Sequence, residues 1–455
     1  MILPPSYSSL DPSIEVVTTG LDAYGSDYSS ITSNAPIAVA FPTTHAQCET
    51  IVAWANANQT QLSIRGAGSG TTGGALPSVP SLLICLSKMN NIVDMDAENA
   101  TITCEPGVIL KDIHQKVEAF GLFYPPDPAS LNQCTIGGNV AENAGGPRAL
   151  KYGVTRDYVI GLKGVWANGE AFHYGGKLKK NVAGYDLMGL LVGSEGTLAI
   201  ITEMTLKLIP KPTAVLEAFS TFKSSDNALR ALIAVIQSGI HPSTAEFITD
   251  TCMIAALKHM NMNPMLPIQR AAIIWQVDGH TKADCRAQMD RIESLAKGIS
   301  FQVMDTHELS DHVWCIRRNI SLGLTQMAGK KYSEDIVVPL NQVPHVIETL
   351  ENFKHPSGIQ VLGYGHLGDG NIHVNILKMS ASDSNWNTHA PHVIQMVMEL
   401  AIGVGGSISG EHGIGRTKKK FMPLQFSHHD LSLMADIKRR VDPNQILNMG
   451  CMFPE

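Results

Sequence analysis

Two histidines bracket a turn-forming stretch in YGHLGDGNIHVNIL, residues 364–377. A four-residue hairpin loop over 368–371 would set Leu367 opposite Ile372 and His366 opposite His373, because partners across an antiparallel hairpin keep a constant sum of residue numbers. Both imidazoles then leave one face of the ribbon. Directly opposed Cβ atoms lie about 4.5 to 5.5 Å apart, close enough for two ring nitrogens to share one ion. Ile372, Val374 and Ile376 fall on the other face, which suits a core.

Further along, GGSISGEHGIGR at 405–416 puts Glu411 and His412 side by side between glycines. Two imidazoles and a carboxylate form a donor set with open positions, the pattern of a catalytic Zn²⁺ or Mn²⁺ ion, with Fe²⁺ also fitting, rather than of a closed structural site. Taken singly, each of the 17 histidines is as readily a satisfied core or surface ring as a ligand. Neighbours on an extended segment point to opposite sides. Glu411 turned toward an ion would therefore leave His412 to approach a substrate as general base, or to make a supporting hydrogen bond. Arg317 and Arg318 in HVWCIRRNISLG offer a bidentate clamp for a carboxylate, or are exposed helix charges.

These side chains need elements to hold them. From Thr44 a capping pattern, Thr44-His45-Ala46-Gln47, opens a helix with Ile51, Val52 and Ala55 on one side, and the strand QLSIR follows. Then comes GAGSGTTGGAL, residues 66–76, with five glycines in eleven positions. Gly68 to Gly73 spells GxGxxG, but Pro77, Pro80 and a further strand, SLLICL, come next where a dinucleotide turn must open a helix. A strand–loop–strand of this kind still presents backbone N–H groups with no side chains in the way, a phosphate-cradling nest, unless it is only a flexible surface loop. A second cluster, PPDPASLNQCTIGGNVAENAGGPRALKYG at 125–153, and a third, GSEGTLAIITEMTLKLIP at 193–210, have the same character. After Pro210 the texture changes to alternating helices and strands, and residues 387–403 read as a buried helix stopped by glycines.

At 455 residues the chain is too long for one ordinary core. Its net charge of -7 gives no reason to expect nucleic acid, and the Lys418 to Lys420 run reads as a solvated patch. No stretch approaches about 18 uninterrupted apolar residues, and the N-terminal residues lack a basic segment followed by an apolar run, so a soluble, cytoplasmic protein is expected. The eight cysteines lie at least 19 positions apart, which excludes CxxC and local iron–sulfur spacings. They read as reduced thiols, and any iron–sulfur cluster would sit on another polypeptide.

Taken together and in this order, the stretches resemble the FAD-linked oxidase family related to vanillyl-alcohol oxidase, which includes flavin-dependent D-2-hydroxyacid dehydrogenases, D-lactate dehydrogenase among them, and the FAD subunit of glycolate oxidase. RGAGSGTTGGALP is similar to the family's pyrophosphate loop, PPDPAS with TIGGNVAENAGG to its isoalloxazine-side segment, and GYDLMGLLVGSEGTLAIIT to its third flavin loop; HLGDGNIH, GEHGIGR and DPNQILNMG complete the set. The resemblance implies an α+β fold: a two-part PCMH-type FAD-binding domain over 1–212, an α+β cap domain with an antiparallel sheet over 213–405, and a segment, 406–455, that completes the active site and returns to the FAD domain.

It further implies non-covalent FAD held by Arg65, Gly66, Gly68, Ser69, Gly70, Thr71, Gly74 and Ala75. Asp127, Ser130, Thr135, Gly138, Asn139, Glu195, Gly196, Ile201 and Asn448 would make further contacts. His366, His373 and Glu411 match the divalent-metal ligands of members that use one, His412 the base, and Arg317 a carboxylate-binding arginine. The glycine loop has no histidine for a covalent flavin link. Related 2-hydroxyglutarate enzymes carry a lysine two residues before the aspartate matching Asp335; here that position is Ser333, with Lys330 and Lys331 nearby, which puts a second-carboxylate contact in question.

The expected activity is oxidation of a D-2-hydroxy acid of the glycolate, D-lactate or 2-hydroxyglutarate class to the 2-oxo acid, with metal assistance and hydride passing to flavin N5. Electrons then go to an external acceptor: an iron–sulfur subunit, a quinone or an electron-transfer protein. A flavin-binding subunit that needs an iron–sulfur partner, a flavin-free metallohydrolase, a non-catalytic scaffold, a homodimer and peripheral attachment at the inner face of a membrane stay open on these residues.

Overall fold

The structure is a computed structural model that describes residues 7–29, 31, 33, 36–304 and 307–454. The chain divides into two compact units, one of Met1–Gly145, Val154–Lys211 and Glu411–Glu455, the other of Gly146–Gly153 and Pro212–Gly410. The break at 211/212 falls where the sequence changes texture. The return to the first unit comes after Gly410 rather than at 405/406, because Ser407 is still paired with Val337, exchanging backbone hydrogen bonds of 2.7 and 3.1 Å. Residues 146–153 group with the second unit, where Lys151 is ion-paired with the buried Asp278 and the Tyr152 hydroxyl donates to the same carboxylate at 2.9 Å.

In the first unit, strands β1 (Glu15–Val17), β2 (Ala38–Phe41), β3 (Leu62–Arg65) and β4 (Leu82–Cys85) form a sheet in the order β1-β2-β4-β3. β3 and β4 are parallel, yet residues 66–81 between them contain no helix, so a glycine loop takes the place of a crossover helix. The helix His45–Asn58 is capped by Thr44, whose hydroxyl accepts from Gln47 N at 3.2 Å. Gln47 returns its side chain to Thr43 N at 2.7 Å rather than to the cap residue. Its buried face, Cys48, Ile51, Val52 and Ala55, packs with Leu62, Leu82, Ile84 and, from the far end of the chain, Ile446 and Leu447. β5 (Ile92–Asp96), β6 (Thr101–Cys104), β8 (Val159–Trp166), β9 (Ala171–Gly175) and β10 (Ala199–Lys207) make an antiparallel sheet in the order β5-β6-β10-β8-β9, while β7 (Leu122–Phe123) pairs with β11 (Ile209–Pro210).

The second unit is built on an eight-stranded antiparallel sheet of β12 (Ala214–Phe222), β13 (Thr244–Thr249), β14 (Ala271–Gly279), β15 (Ser300–Met304), β16 (Lys331–Val337), β17 (Lys354–His355), β18 (Ile359–His366) and β19 (Asn371–Lys378). Its order is β15-β12-β14-β13-β18-β19-β16, with β17 pairing β18. Helices Asp250–Met260 and His307–Ala328 cover one face, sealing Ile248, Ile274, Leu362 and Leu377 under Cys252, Ala256, Ile316, Ile320 and Leu324. Ile372, Val374 and Ile376 lie buried on the other face, each contributing about 1.5 to 3 kcal/mol by leaving water.

The β18–β19 hairpin departs from the expected register. His366 pairs with Asn371 and Tyr364 with His373, so the loop is 367–370 rather than 368–371. Asn371 is drawn into the strand because its buried side chain donates to Ile336 O at 3.1 Å, and the left-handed residue that closes the turn is Gly370, φ 78°. A shift of two leaves the faces unchanged, so both histidines still project from one side, as diagonal rather than direct neighbours.

Candidate active site

In the second unit the helix-covered face of the sheet ends in a polar cluster. His366 and His373 lie edge to face, ring centroids 5.0 Å apart, with their Nε2 atoms 3.3 Å from each other. His366 Nδ1 is bonded to Glu246, its partner across β13 and β18, and Glu246 also accepts from Arg317 Nε at 2.5 Å. Burial pushes the Glu246 carboxyl up, but the Arg317 guanidinium and then His366 outweigh it and hold the group at about 2. An ionised carboxylate only accepts, so Nδ1 carries a proton, and Nε2 is the ring nitrogen that faces His373. This carboxylate–imidazole relay is how proteins orient a metal-binding histidine.

Arg317 is fixed from two sides, with its guanidinium carbon 4.8 Å from the centre of the Tyr364 ring. Asp335, fully buried and paired in register with His373, accepts from Gly410 N at 2.7 Å and Ser409 Oγ at 3.3 Å. It thereby fixes the chain up to the residue before Glu411.

In the first unit, Gly66, Gly74, Ala75, Thr135, Gly138, Glu195, Gly196 and Asn448 line one cavity together with Ile64, Leu86, Pro106, Gly137, Ala141 and Glu142. Arg65, Gly68, Ser69, Gly70, Thr71, Asp127, Ser130, Asn139 and Ile201 are not among its lining residues. The backbone approaches closely there: a Cβ on Gly68, which sits at φ 69°, would run into the Arg65 guanidinium. Buried Arg65 Nη1 has no hydrogen-bond partner among the described residues. Asn448 ties the cavity together, its Oδ1 accepting from Ile64 N at 2.8 Å and its Nδ2 donating to Glu195 O at 2.7 Å. The buried Glu195 carboxylate accepts from Ile414 N and Gly415 N at 2.7 and 2.6 Å, which ends the Glu411–His412 loop in a fixed position. Burial pushes this carboxyl up, against the pull of those two N–H groups.

Glu411 and His412 lie in a bend, not on an extended segment, and their side chains approach to 3.9 Å instead of pointing to opposite sides. The His412 carbonyl accepts from Thr72 Oγ1 at 3.1 Å, and a Cβ on Gly145 would stand 3.2 Å from Glu411 Oε2. Glu246 and Glu142 escaped the sequence reading. The signal for Glu246 was a lone acid in TAEFIT, a strand otherwise without charge; Glu142 closes the helix that TIGG opens. All eight cysteines are free, burial pushes Cys48, Cys104, Cys252 and Cys451 up to about 12, and among the described residues no helix is long and apolar enough to cross a membrane.

Comparison with known proteins agrees with this architecture. Residues 211–452 match the model of the C-terminal domain of FAD linked oxidases, and residues 36–175 match an FAD binding domain. The chain is 35% identical over 422 residues to the glycolate oxidase subunit GlcD of Bacillus subtilis, covering 92% of this chain and 89% of that protein. It is 32% identical over 442 residues to the D-2-hydroxyglutarate dehydrogenase of Xanthomonas citri, covering 95% and 92%. Among solved structures, p-cresol methylhydroxylase superposes with a TM-score of 0.76 at 16% identity, covering 96% of this chain and 93% of that one, which speaks for the PCMH-type α+β fold. With a family model spanning more than half of its length and relatives of this similarity along nearly all of it, the chain belongs to the FAD-linked oxidases.

Proposed function

We propose that this protein oxidises a D-2-hydroxy acid to the 2-oxo acid and passes the electrons to a separate acceptor. The observation that carries the reading is the His366–His373 pair in the second unit, oriented by Glu246 and flanked by the fixed cation Arg317. Relatives at this similarity bear glycolate oxidase and D-2-hydroxyglutarate dehydrogenase names. Membership in an FAD-linked family replaces the flavin-free metallohydrolase alternative.

Two Nε2 atoms 3.3 Å apart are a donor pair suited to a divalent ion such as Zn²⁺ or Mn²⁺. His366, His373 and Glu411 would hold it, and it would supply Lewis acidity toward the hydroxyl oxygen. Arg317, held through Nε by Glu246, attracts the substrate carboxylate. His412 takes the hydroxyl proton. The glycine loops of the first unit, with Arg65 and Asn448, hold FAD, which supplies the acceptor for the two electrons leaving C2.

The cysteine spacing leaves no room for a cluster of its own, so the acceptor is an iron–sulfur subunit, a quinone or an electron-transfer protein. The GlcD relative is itself named as a subunit. Turnover of the purified yellow protein with a dye acceptor across D- and L-2-hydroxy acids tests the function. Oxidation confined to D-acids is expected; turnover of none of them overturns it.

A further inference from the structure

Between β9 and the short helix Leu187–Leu191, residues 177–186 of the first unit are exposed without a break. Val182 and Tyr185, 98% and 96% exposed, exceed every other large apolar side chain among the described residues, and Leu178 adds a third at 55%. Lys179 and Lys180 are exposed with them, and none of these five side chains has a hydrogen-bond, ion-pair or ring partner among the described residues. The ends of the loop are pinned while its middle is bare. Lys177 Nζ pairs with Asp94 and Asp96 of β5 at 2.6 Å each, and Asp186 accepts from Gly189 N at 2.8 Å as the cap of the helix. Single exposed apolar residues are ordinary, but three with two lysines in eight residues form an apolar patch rimmed by charge, the mark of a contact surface.

The place in the chain and the charge say what it meets. Of the stretch GYDLMGLLVGSEGTLAIIT, similar to a flavin loop, Glu195 and Gly196 line the cavity of the first unit, whereas Tyr185 near its start lies in water. Nine residues, 186–194, join the exposed tyrosine to that cavity wall. Residues 178–185 hold two lysines and no acid, on a chain of net charge -7. A cationic tip steers an acidic partner into contact from a distance. The small apolar area suits the brief encounters of electron carriers, which lie at the low end of interface sizes, rather than a permanent subunit contact.

We infer that the loop 178–185 is the docking element for the electron acceptor, a separate acidic carrier protein whose negative surface meets Lys179 and Lys180 and whose apolar patch takes Leu178, Val182 and Tyr185. This rests on the reading above that the electrons leave to a separate acceptor. Each encounter passes one electron, so two carriers are reduced per flavin, and the hydrogens of the reduced flavin leave to water as protons.

The test takes the FAD-loaded protein reduced anaerobically with dithionite, which frees it from the identity of the substrate. Stopped flow then follows electron transfer to plastocyanin, an acidic copper carrier, to cytochrome c, a basic haem carrier, and to para-benzoquinone, a small neutral acceptor that needs no docking. At low ionic strength the double variant Lys179→Glu with Lys180→Glu should slow transfer to plastocyanin about tenfold or more, speed transfer to cytochrome c and leave benzoquinone unchanged. At about 1 M salt the difference should vanish. Val182→Ser with Tyr185→Ser should slow transfer to plastocyanin at every salt concentration, again without effect on benzoquinone. All four side chains are exposed and hold nothing in place, so both variants keep the fold. Plastocyanin rates unchanged in either variant, or rates to all three acceptors lowered in proportion, would overturn the docking loop. So would variants that lose binding to phosphatidylglycerol vesicles while carrier rates stay the same, which would mark a membrane contact instead. A wild type that reduces benzoquinone but neither carrier refutes the loop alone; one that reduces no acceptor refutes the external-acceptor reading as well.

Discussion

Glu246 organises the residues of the second unit by giving each carboxylate oxygen one cationic or ring-nitrogen partner, Arg317 on one and His366 on the other. Removing one partner of a buried charge cluster leaves the rest uncompensated, so Glu246→Ala should lower unfolding stability by about 3 to 5 kcal/mol, read as a fall in melting temperature. The same group sets an acid limit. Its folded pKa, about 2, lies below the ordinary carboxylate value, so its stabilisation is fully present above about pH 4.5 and is lost as pH falls toward 2. That loss is on the order of 3 kcal/mol, and it should appear in acid titrations of the wild type and be missing from Glu246→Gln. His412→Ala should keep FAD absorbance while flavin reduction by substrate slows about 10²- to 10⁴-fold in stopped flow, the range of a lost general base.

Among the elements, the glycine loops were legible because no packing need explains five glycines in eleven positions. The faces of the β18–β19 hairpin were legible too, since the period of two fixes them. Its register was not: two four-residue loops fit the same letters, and the choice fell to the tertiary bond from Asn371 to Ile336 O. Glu246 stayed hidden because a single acid in a strand announces nothing until its neighbours across the sheet are known. The C-terminal return was readable as a motif, but its mechanical part, Asn448 bridging Ile64 N and Glu195 O, needed three distant segments at once. Asn448→Ala strands two buried backbone groups, so it should cost about 1 to 3 kcal/mol and weaken FAD retention on gel filtration.

For the whole molecule, the division of labour follows from which unit carries which chemistry. The first has the glycine loops, the buried Arg65 donor and the Glu411–His412 pair; the second has the histidine pair with Glu246 and Arg317. Family membership fixes the flavin, whereas the role of the histidines rests on their geometry. The most direct test is anaerobic mixing of the yellow protein with a D-2-hydroxy acid, following the flavin band before and after removal of bound divalent metal by chelation. The untreated protein should bleach within seconds. The chelated protein should stay yellow and bleach at least a hundredfold more slowly until Zn²⁺ or Mn²⁺ is restored. A flavin that no 2-hydroxy acid bleaches, or one that bleaches equally fast without metal, would contradict the account.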